Sequence, residues 1–151
     1  MKTQDYITRR KKDEKDEKIV GDFLDNYFYP TFTTTITRNN DKATQIAGLD
    51  VTVTNSEGYN YTIDEKAATH WVGRNLQTFA HEVSSVNVSG KTYDGWLLDF
   101  QSASDYLVEV WVDDAKDTTL TDYTDITDIT IALIKKQDLW NYLKHKNISS
   151  I

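Results

Sequence analysis

Two carboxylates and one lysine, which lie on two neighbouring apolar runs, are the residues of this chain best suited to chemistry. Asp50 lies in the run 48–53, and Asp64 and Lys66 close the run 59–66. Side chains of a strand alternate between its two faces, so Asp64 and Lys66 point the same way. If the two runs pair as a hairpin, the three charged groups gather on one polar face. Such a group can hold a divalent metal and orient a water against a phosphate.

The same alternation assigns the opposite face of the second run to the core. Tyr59, Tyr61 and Ile63 are expected there. The alternative is an ordinary hairpin whose solvent face happens to be charged, and spacing alone does not separate the two interpretations. The small residues 67–68 favour a site, because they would leave the head group of Lys66 accessible.

Each member of the group has a role in this hypothesis. Asp50, Asp64 and the backbone carbonyl of Glu65 would bind one or two Mg²⁺ or Mn²⁺ ions. Lys66 would position or help to deprotonate the attacking water and stabilise charge that develops on the phosphate. Weaker candidates for supporting roles, each with an ordinary exposed polar residue as the alternative, are Glu82, Gln77 and Glu17.

Composition limits the class of protein. A chain of 151 residues is about one domain, and 4 Trp, 9 Tyr and 5 Phe supply large buriable side chains. No cysteine is present, and the N-terminal residues lack the apolar stretch of a secretory signal, so we expect a cytoplasmic protein with no membrane anchor. The rest of the sequence contains no motif typical of a zinc site, a phosphate-binding loop or a hydrolytic triad.

The net charge of −7 bears on the partner. A protein that holds DNA by charge alone is usually basic, so this chain would repel a duplex unless a metal and local basic patches offset its field. The acidic residues concentrate between 113 and 128. That segment is predicted to be a surface loop as far as residue 125, and it could instead dock a basic protein.

Hydrophobic spacing predicts the elements that position these residues. Residues 9–18 are a charge run of mixed sign, which is typical of a solvated helix start, and an apolar stripe continues the helix to Phe28 before Pro30. Further helices are expected at about 75–86 and from about 137. Strands are expected at 31–37, 46–54, 59–66, 96–100, 105–112 and 126–134. This order predicts a single mixed α/β domain, in which residues 1–18 form a helix start that could fray.

Four sequence blocks, at residues 45–51, 63–67, 76–82 and 95–99, together resemble the PD-(D/E)XK, or restriction-endonuclease-like, nuclease superfamily. The likeness is narrower to a group of small bacterial and phage proteins in it. It implies that Asp50 is the first acidic position, Asp64 the (D/E) position and Lys66 the lysine. Two departures are Leu49, where the superfamily's name has proline, and His81, where an aromatic residue is expected.

The resemblance implies an α+β fold for residues 19–151, with a central mixed β-sheet flanked by helices. It also implies a metal-dependent phosphodiester hydrolase that acts on DNA. Members of such a superfamily can keep the scaffold and lose catalysis. The alternative function is therefore a silent, acidic binding protein that docks a nucleic-acid-handling protein, for example as a phage-borne inhibitor.

Overall fold

The computed structural model describes residues 2–46, 48–99 and 102–148. Its helices are α1 (Lys2–Phe23), α2 (Lys42–Ile46) and α3 (Lys136–His145). Its strands are β1 (Thr35–Arg38), β2 (Val51–Thr54), β3 (Asn60–Ala68), β4 (Ser84–Val86), β5 (Thr92–Asp94), β6 (Tyr106–Ala115) and β7 (Ile126–Lys135). None of the described helices has the length and apolar character that a membrane crossing requires.

A mixed sheet organises the described part of the chain. Its five strands lie in the order β1-β2-β3-β6-β7, and β4 and β5 form a separate hairpin. The β1-β2-β3 segment is an antiparallel meander, β6 is parallel to β3, and β7 is antiparallel to β6. The predicted mixed sheet in an α+β domain is confirmed at this level.

The hairpin between β2 and β3 forms where the sequence places it. Val51 pairs with Ile63 and Val53 with Tyr61, so the apolar residues of both strands share one face. The side chain of Asn55 closes the loop by accepting hydrogen bonds from the backbone amides of Glu57 and Tyr59. Tyr59 itself lies before the strand and is 61% exposed, so its predicted place in the core is wrong.

The first helix covers the apolar face of the sheet. Its charged half is solvated apart from Asp16, which is buried and paired with Lys12, and it carries further ion pairs at four-residue spacing, Arg10–Glu14 and Lys18–Asp22. Its apolar half contributes Ile19 and Val20 to the core. The helix continues as a π-helical turn at Leu24–Phe28 and a 3₁₀ turn at Tyr29–Thr31, which contains Pro30. The predicted end of the helix at this proline is therefore correct to within one turn.

The connection between β3 and β6 differs from its prediction. Leu76, Phe79, Val83 and Val86 have helical spacing, yet residues 75–83 are irregular and β4 follows. The pairing of β4 with β5 across the turn at 87–90 outweighs that spacing, because Ser and β-branched residues favour a strand over a helix.

Three other boundaries also differ. The strand predicted at 96–100 is a turn at residues 96–98, and Phe100 lies outside the described residues. The strand predicted from Ile46 begins at Val51, after α2 and a left-handed turn at Gly48. Residues 113–115, predicted to be a loop, extend β6.

Candidate active site

An open cleft of about 740 Å³ lies between α1 and the sheet. A second cleft of about 630 Å³ adjoins it and shares several of its walls. The residues that line both, from α1, the α2 segment, the start of β2 and the end of β3, are Glu14, Glu17, Gln45, Asp50, Glu65, Lys66 and Ala67. Two of the three residues predicted to be catalytic, Asp50 and Lys66, therefore face the same space.

Backbone hydrogen bonds fix Asp50 at the entrance to β2. Its amide donates to the carbonyl of Ile63 (3.0 Å), and its carbonyl accepts from the amide of Asn39 (2.9 Å). Its carboxylate Oδ2 accepts from the amide of Glu65 (2.8 Å). Asp50 is thus held against the strand that carries Asp64 and Lys66, as the hairpin prediction requires.

The surroundings of Asp50 favour its protonated form. Burial raises the pKa of its carboxyl group to about 6, and the charge of Asp64 adds to that rise. The amide of Glu65 and the charge of Lys66 oppose it. Because ionisation of this buried carboxyl group is unfavourable, an additional cation in the cleft would stabilise its charged form.

Asp64 is held by two lysines. Its Oδ1 accepts from Lys66 Nζ (2.6 Å) and its Oδ2 from Lys136 Nζ (3.1 Å). The side chain of Asp64 is 4% exposed. The contact with Lys66 follows from the two-residue spacing on β3, whereas Lys136 comes from the first turn of α3, 72 residues along the chain. The predicted trio is therefore a larger group with an additional buried lysine.

The side chain of Glu65 belongs to a separate network on the α1 face of β3. It accepts from Tyr29 Oη (2.5 Å) and from the guanidinium of Arg38 (2.8 and 3.0 Å). Arg38 also binds Asp25, at 2.6 and 3.0 Å, and the carbonyl of Gly21. This network fixes β3 against α1 and β1, and with it the backbone of Glu65 predicted to offer a metal ligand.

The network also shifts the pKa values of its members. Burial, together with the charge and hydrogen bond of Glu65, raises the pKa of Tyr29. Burial alone would lower the pKa of Arg38, but the hydrogen bonds and charges of Glu65 and Asp25 outweigh it and raise that pKa. Tyr29 therefore remains a neutral hydrogen-bond donor and Arg38 a permanent cation.

The three supporting residues predicted from the sequence separate into two groups. Glu17 lines both clefts. Although the side chain is exposed by surface area, the protein around it raises its pKa by desolvation, against the lowering effect of Lys66. Gln77 and Glu82 are exposed in the irregular segment after β3, and neither is among the described residues that line the clefts.

An aromatic wall borders the second cleft. Phe79 and Trp96 line it, and Lys66 Nζ lies 5.3 Å from the centre of the Trp96 ring. His81 packs between these rings and contacts the buried carboxylate of Glu109. His81 thus takes the place of an aromatic side chain in this wall. The buried pairing with Glu109 was not predicted, since Glu109 is the one charged residue in the run 106–112.

The carboxylates of this site could hold a hard divalent ion as a pair, but not as a cluster of three ligands. Among the described residues, no three His, Cys, Asp or Glu side chains come together as a ready-made metal group. Mg²⁺, however, usually binds through one or two carboxylates and keeps waters or substrate phosphates as its other ligands. Asp50 and Asp64, on adjoining strands and coupled through their charges, fit that second arrangement.

Comparison with known proteins gives no relative from which a role could be transferred. No protein-family model, no curated protein and no solved structure matches this chain. The resemblance to PD-(D/E)XK nucleases is thus limited to the four sequence blocks, and membership of that superfamily stays a prediction.

Proposed function

We propose that this protein is a divalent-metal-dependent phosphodiesterase that acts on DNA, on a restriction-endonuclease-like scaffold. The observation that supports it best is the placement of Asp50 and Lys66 on the wall of one cleft, with Asp64 bonded to Lys66. The mixed sheet with a helix packed on one face supports the proposal at the level of an α+β domain.

The residues divide the work of hydrolysis between them. Asp50 and Asp64 would hold Mg²⁺ or Mn²⁺, which when bound supplies Lewis-acid stabilisation of charge on a phosphate. Lys66 orients the water whose oxygen forms the new bond to phosphorus as the bond to the leaving sugar oxygen breaks. Its ammonium also stabilises the negative charge that develops on the phosphate.

Basic side chains line the clefts together with a larger number of acidic ones. Lys18 lines the first cleft, and Arg10 and Lys42 line the second. Arg10, Lys18 and Arg38 are each paired with a carboxylate, and acidic side chains outnumber basic ones in the lining of the first cleft, so a phosphate backbone would need the charge of a metal to approach. Binding would accordingly be weak at high salt and strengthened by the metal.

The direct test is cleavage of linear, circular and single-stranded DNA in Mg²⁺ or in Mn²⁺, with a chelator as the blank. Asp50→Asn and Lys66→Met keep side-chain size and remove charge. We expect each to lower the cleavage rate by about 10² or more, as is common for groups that act on developing charge. Lys91→Met, at an exposed position on the β4–β5 hairpin, is the matched control and should cleave normally.

Two results would contradict the proposal. One is cleavage by Lys66→Met at the rate of the wild type, which would trace the activity to a contaminant or to another site. The other is a folded wild-type protein that cuts none of the substrates with either metal.

A second candidate function is a silent scaffold that binds a basic nucleic-acid-handling protein. It is favoured by the closure of Asp64 between two lysines, which satisfies the carboxylate without a metal. The acidic end of the β6–β7 hairpin offers the surface. There, hydrogen bonds from Thr124 lower the pKa of Asp122, and hydrogen bonds from Thr121 and the amide of Asp122 lower that of Asp125, so both remain charged.

Exchange of acidic residues on this hairpin tests the second candidate. Asp117→Asn combined with Asp128→Asn should weaken capture of a basic nuclease or polymerase in a pull-down and leave the melting temperature unchanged. Equal capture by this variant and the wild type would argue against the surface.

A further inference from the structure

The two lysines that bind Asp64 differ in their exposure to solvent and in how firmly they are held. Lys136 is buried, with a side chain 4% exposed, whereas that of Lys66 is 29% exposed and lines the clefts. Both approach the same carboxylate, one at each oxygen. The carboxylate therefore has one partner inside the protein and one at the surface of the cleft.

Lys136 is anchored by a complete set of acceptors. Its Nζ donates to Asp64 Oδ2 (3.1 Å), Ser102 Oγ (2.9 Å) and Ser104 Oγ (2.5 Å), which matches the donor capacity of an ammonium. Gly48 packs on this cluster so closely that a Cβ there would lie 2.9 Å from Ser102 Oγ. Withdrawal of Lys136 would leave buried polar groups without partners, which is costly.

Lys136 also occupies a position that a lysine does not favour locally. It begins α3, where the partial positive charge of the helix N-terminus disfavours a cation. Its contact with Asp64 supplies the compensating negative charge. The side chain is thus better explained by the carboxylate it holds than by the helix it starts.

Lys66 has a weaker attachment. Besides its bond to Asp64 Oδ1, its Nζ lies 5.3 Å from the centre of the Trp96 ring, and its charge acts on the carboxyl groups of Asp50 and Glu17. Because the carboxylate of Asp64 is buried, loss of Lys66 with nothing in its place would leave its charge short of a partner, which is costly. The ammonium can therefore turn into the cleft only if another cation takes its position at Oδ1.

We propose that the ammonium of Lys66 occupies the cation position on Asp64 until a divalent metal replaces it, while Lys136 holds the other oxygen in place throughout. With a metal held by Asp64, Lys66 would lose its place on that carboxylate and would be free to face the cleft, where a phosphate would lie. Lys136 is a positioning residue, since it acts through Asp64. This inference rests on the proposed metal-dependent function.

Site-resolved acetylation of lysines tests the exchange without DNA. The wild-type protein is treated briefly with an N-hydroxysuccinimide ester of acetate, with a chelator or with Mg²⁺ or Mn²⁺, and the extent at each lysine is measured by peptide mass spectrometry. Lys91, exposed on the hairpin, normalises for reagent strength. We expect a several-fold rise at Lys66 on addition of the metal, and little reaction at Lys136 in either state.

Asp64→Asn provides a second arm. Because the amide holds an ammonium less strongly than the carboxylate, this variant should acetylate quickly at Lys66 without metal and should show no further rise with it. If the variant does not fold, Ser104→Ala loosens Lys136 and should raise acetylation at Lys136 and weaken the metal response of Lys66, because Lys136 positions Asp64. An unchanged metal response of Lys66 would contradict that role.

Failure of the exchange and failure of the nuclease function give different results. Unchanged or reduced acetylation of Lys66 with metal would overturn the exchange, even if the protein cuts DNA. A metal-dependent rise in acetylation at Lys66, in a protein that cuts no DNA, would support the exchange and would contradict the proposal that DNA is the substrate.

Discussion

Replacement of Asp50 by asparagine should stabilise the protein at neutral pH. Its carboxyl group has a pKa of about 6 in the fold against 3.8 for an ordinary aspartate. At about 1.4 kcal/mol per pH unit, that rise corresponds to about 3 kcal/mol of stability lost once Asp50 ionises. Asp50 is only half-buried, so solvent screening reduces the expected gain for Asp50→Asn to about 1.5 kcal/mol.

The sign of the pH dependence follows from the direction of the shift. A carboxyl group whose pKa is raised by folding contributes its stability in the protonated form, and loses it as the pH rises from 3.8 through about 6. The wild type and Asp50→Asn should therefore be nearly equal in stability at about pH 4, and the variant should be more stable at about pH 8. The amide oxygen of asparagine can still accept the hydrogen bond from the amide of Glu65.

Urea unfolding followed by tryptophan fluorescence, in a chelator and at several pH values, measures this difference. Glu57→Gln, at an exposed position in the β2–β3 loop, is the control for removal of one negative charge. The reasoning would be refuted if Asp50→Asn gained no stability over the control at about pH 8, or if its gain were as large at about pH 4.

Three further substitutions test the packing that supports the site. Tyr29→Phe removes the hydrogen bond to Glu65 and should lower the free energy of unfolding by about 1–3 kcal/mol, as measured by urea titration; an unchanged midpoint would argue against the network. Leu24→Ala, at a fully buried position, should cost about 2–5 kcal/mol, and a cost below that of an exposed Leu→Ala control would contradict the packing of α1. Gly48→Ala places a side chain at a φ of +76° beside Ser102 and should cost about 1–2 kcal/mol from the backbone alone; a melting temperature equal to that of the wild type would refute this.

Strong local signals predicted much of the fold. The alternation along β6, the β-branched run of β7 and the apolar stripe of α1 gave these elements to within a few residues. The connection between β3 and β6 was not predictable in this way, because helical spacing there competes with a strand pairing between β4 and β5. Only the partner strand decides between them.

In the candidate site, too, the contacts between neighbouring segments were predictable and the long-range contacts were not. Contact between Asp64 and Lys66 follows from two-residue spacing on one strand, and the approach of Asp50 follows from the hairpin. Lys136 and Tyr29 reach these strands from distant parts of the chain. A lysine or a tyrosine at those positions does not by itself indicate a contact with β3. The one sequence signal for Lys136 is a lysine at the start of a helix.

The parallel pairing of β3 with β6 has a consequence for the order of folding. The β1-β2-β3 meander and the β6-β7 hairpin join neighbours in sequence, whereas β3 and β6 are separated by residues 69–105. Closing so long a connection costs chain entropy before any contact is made, so we expect the two halves to form first and to join late. Asp64 lies in the first half, and Lys136 directly follows the second. A half-folded or truncated chain would therefore lack the bond between Lys136 and Asp64.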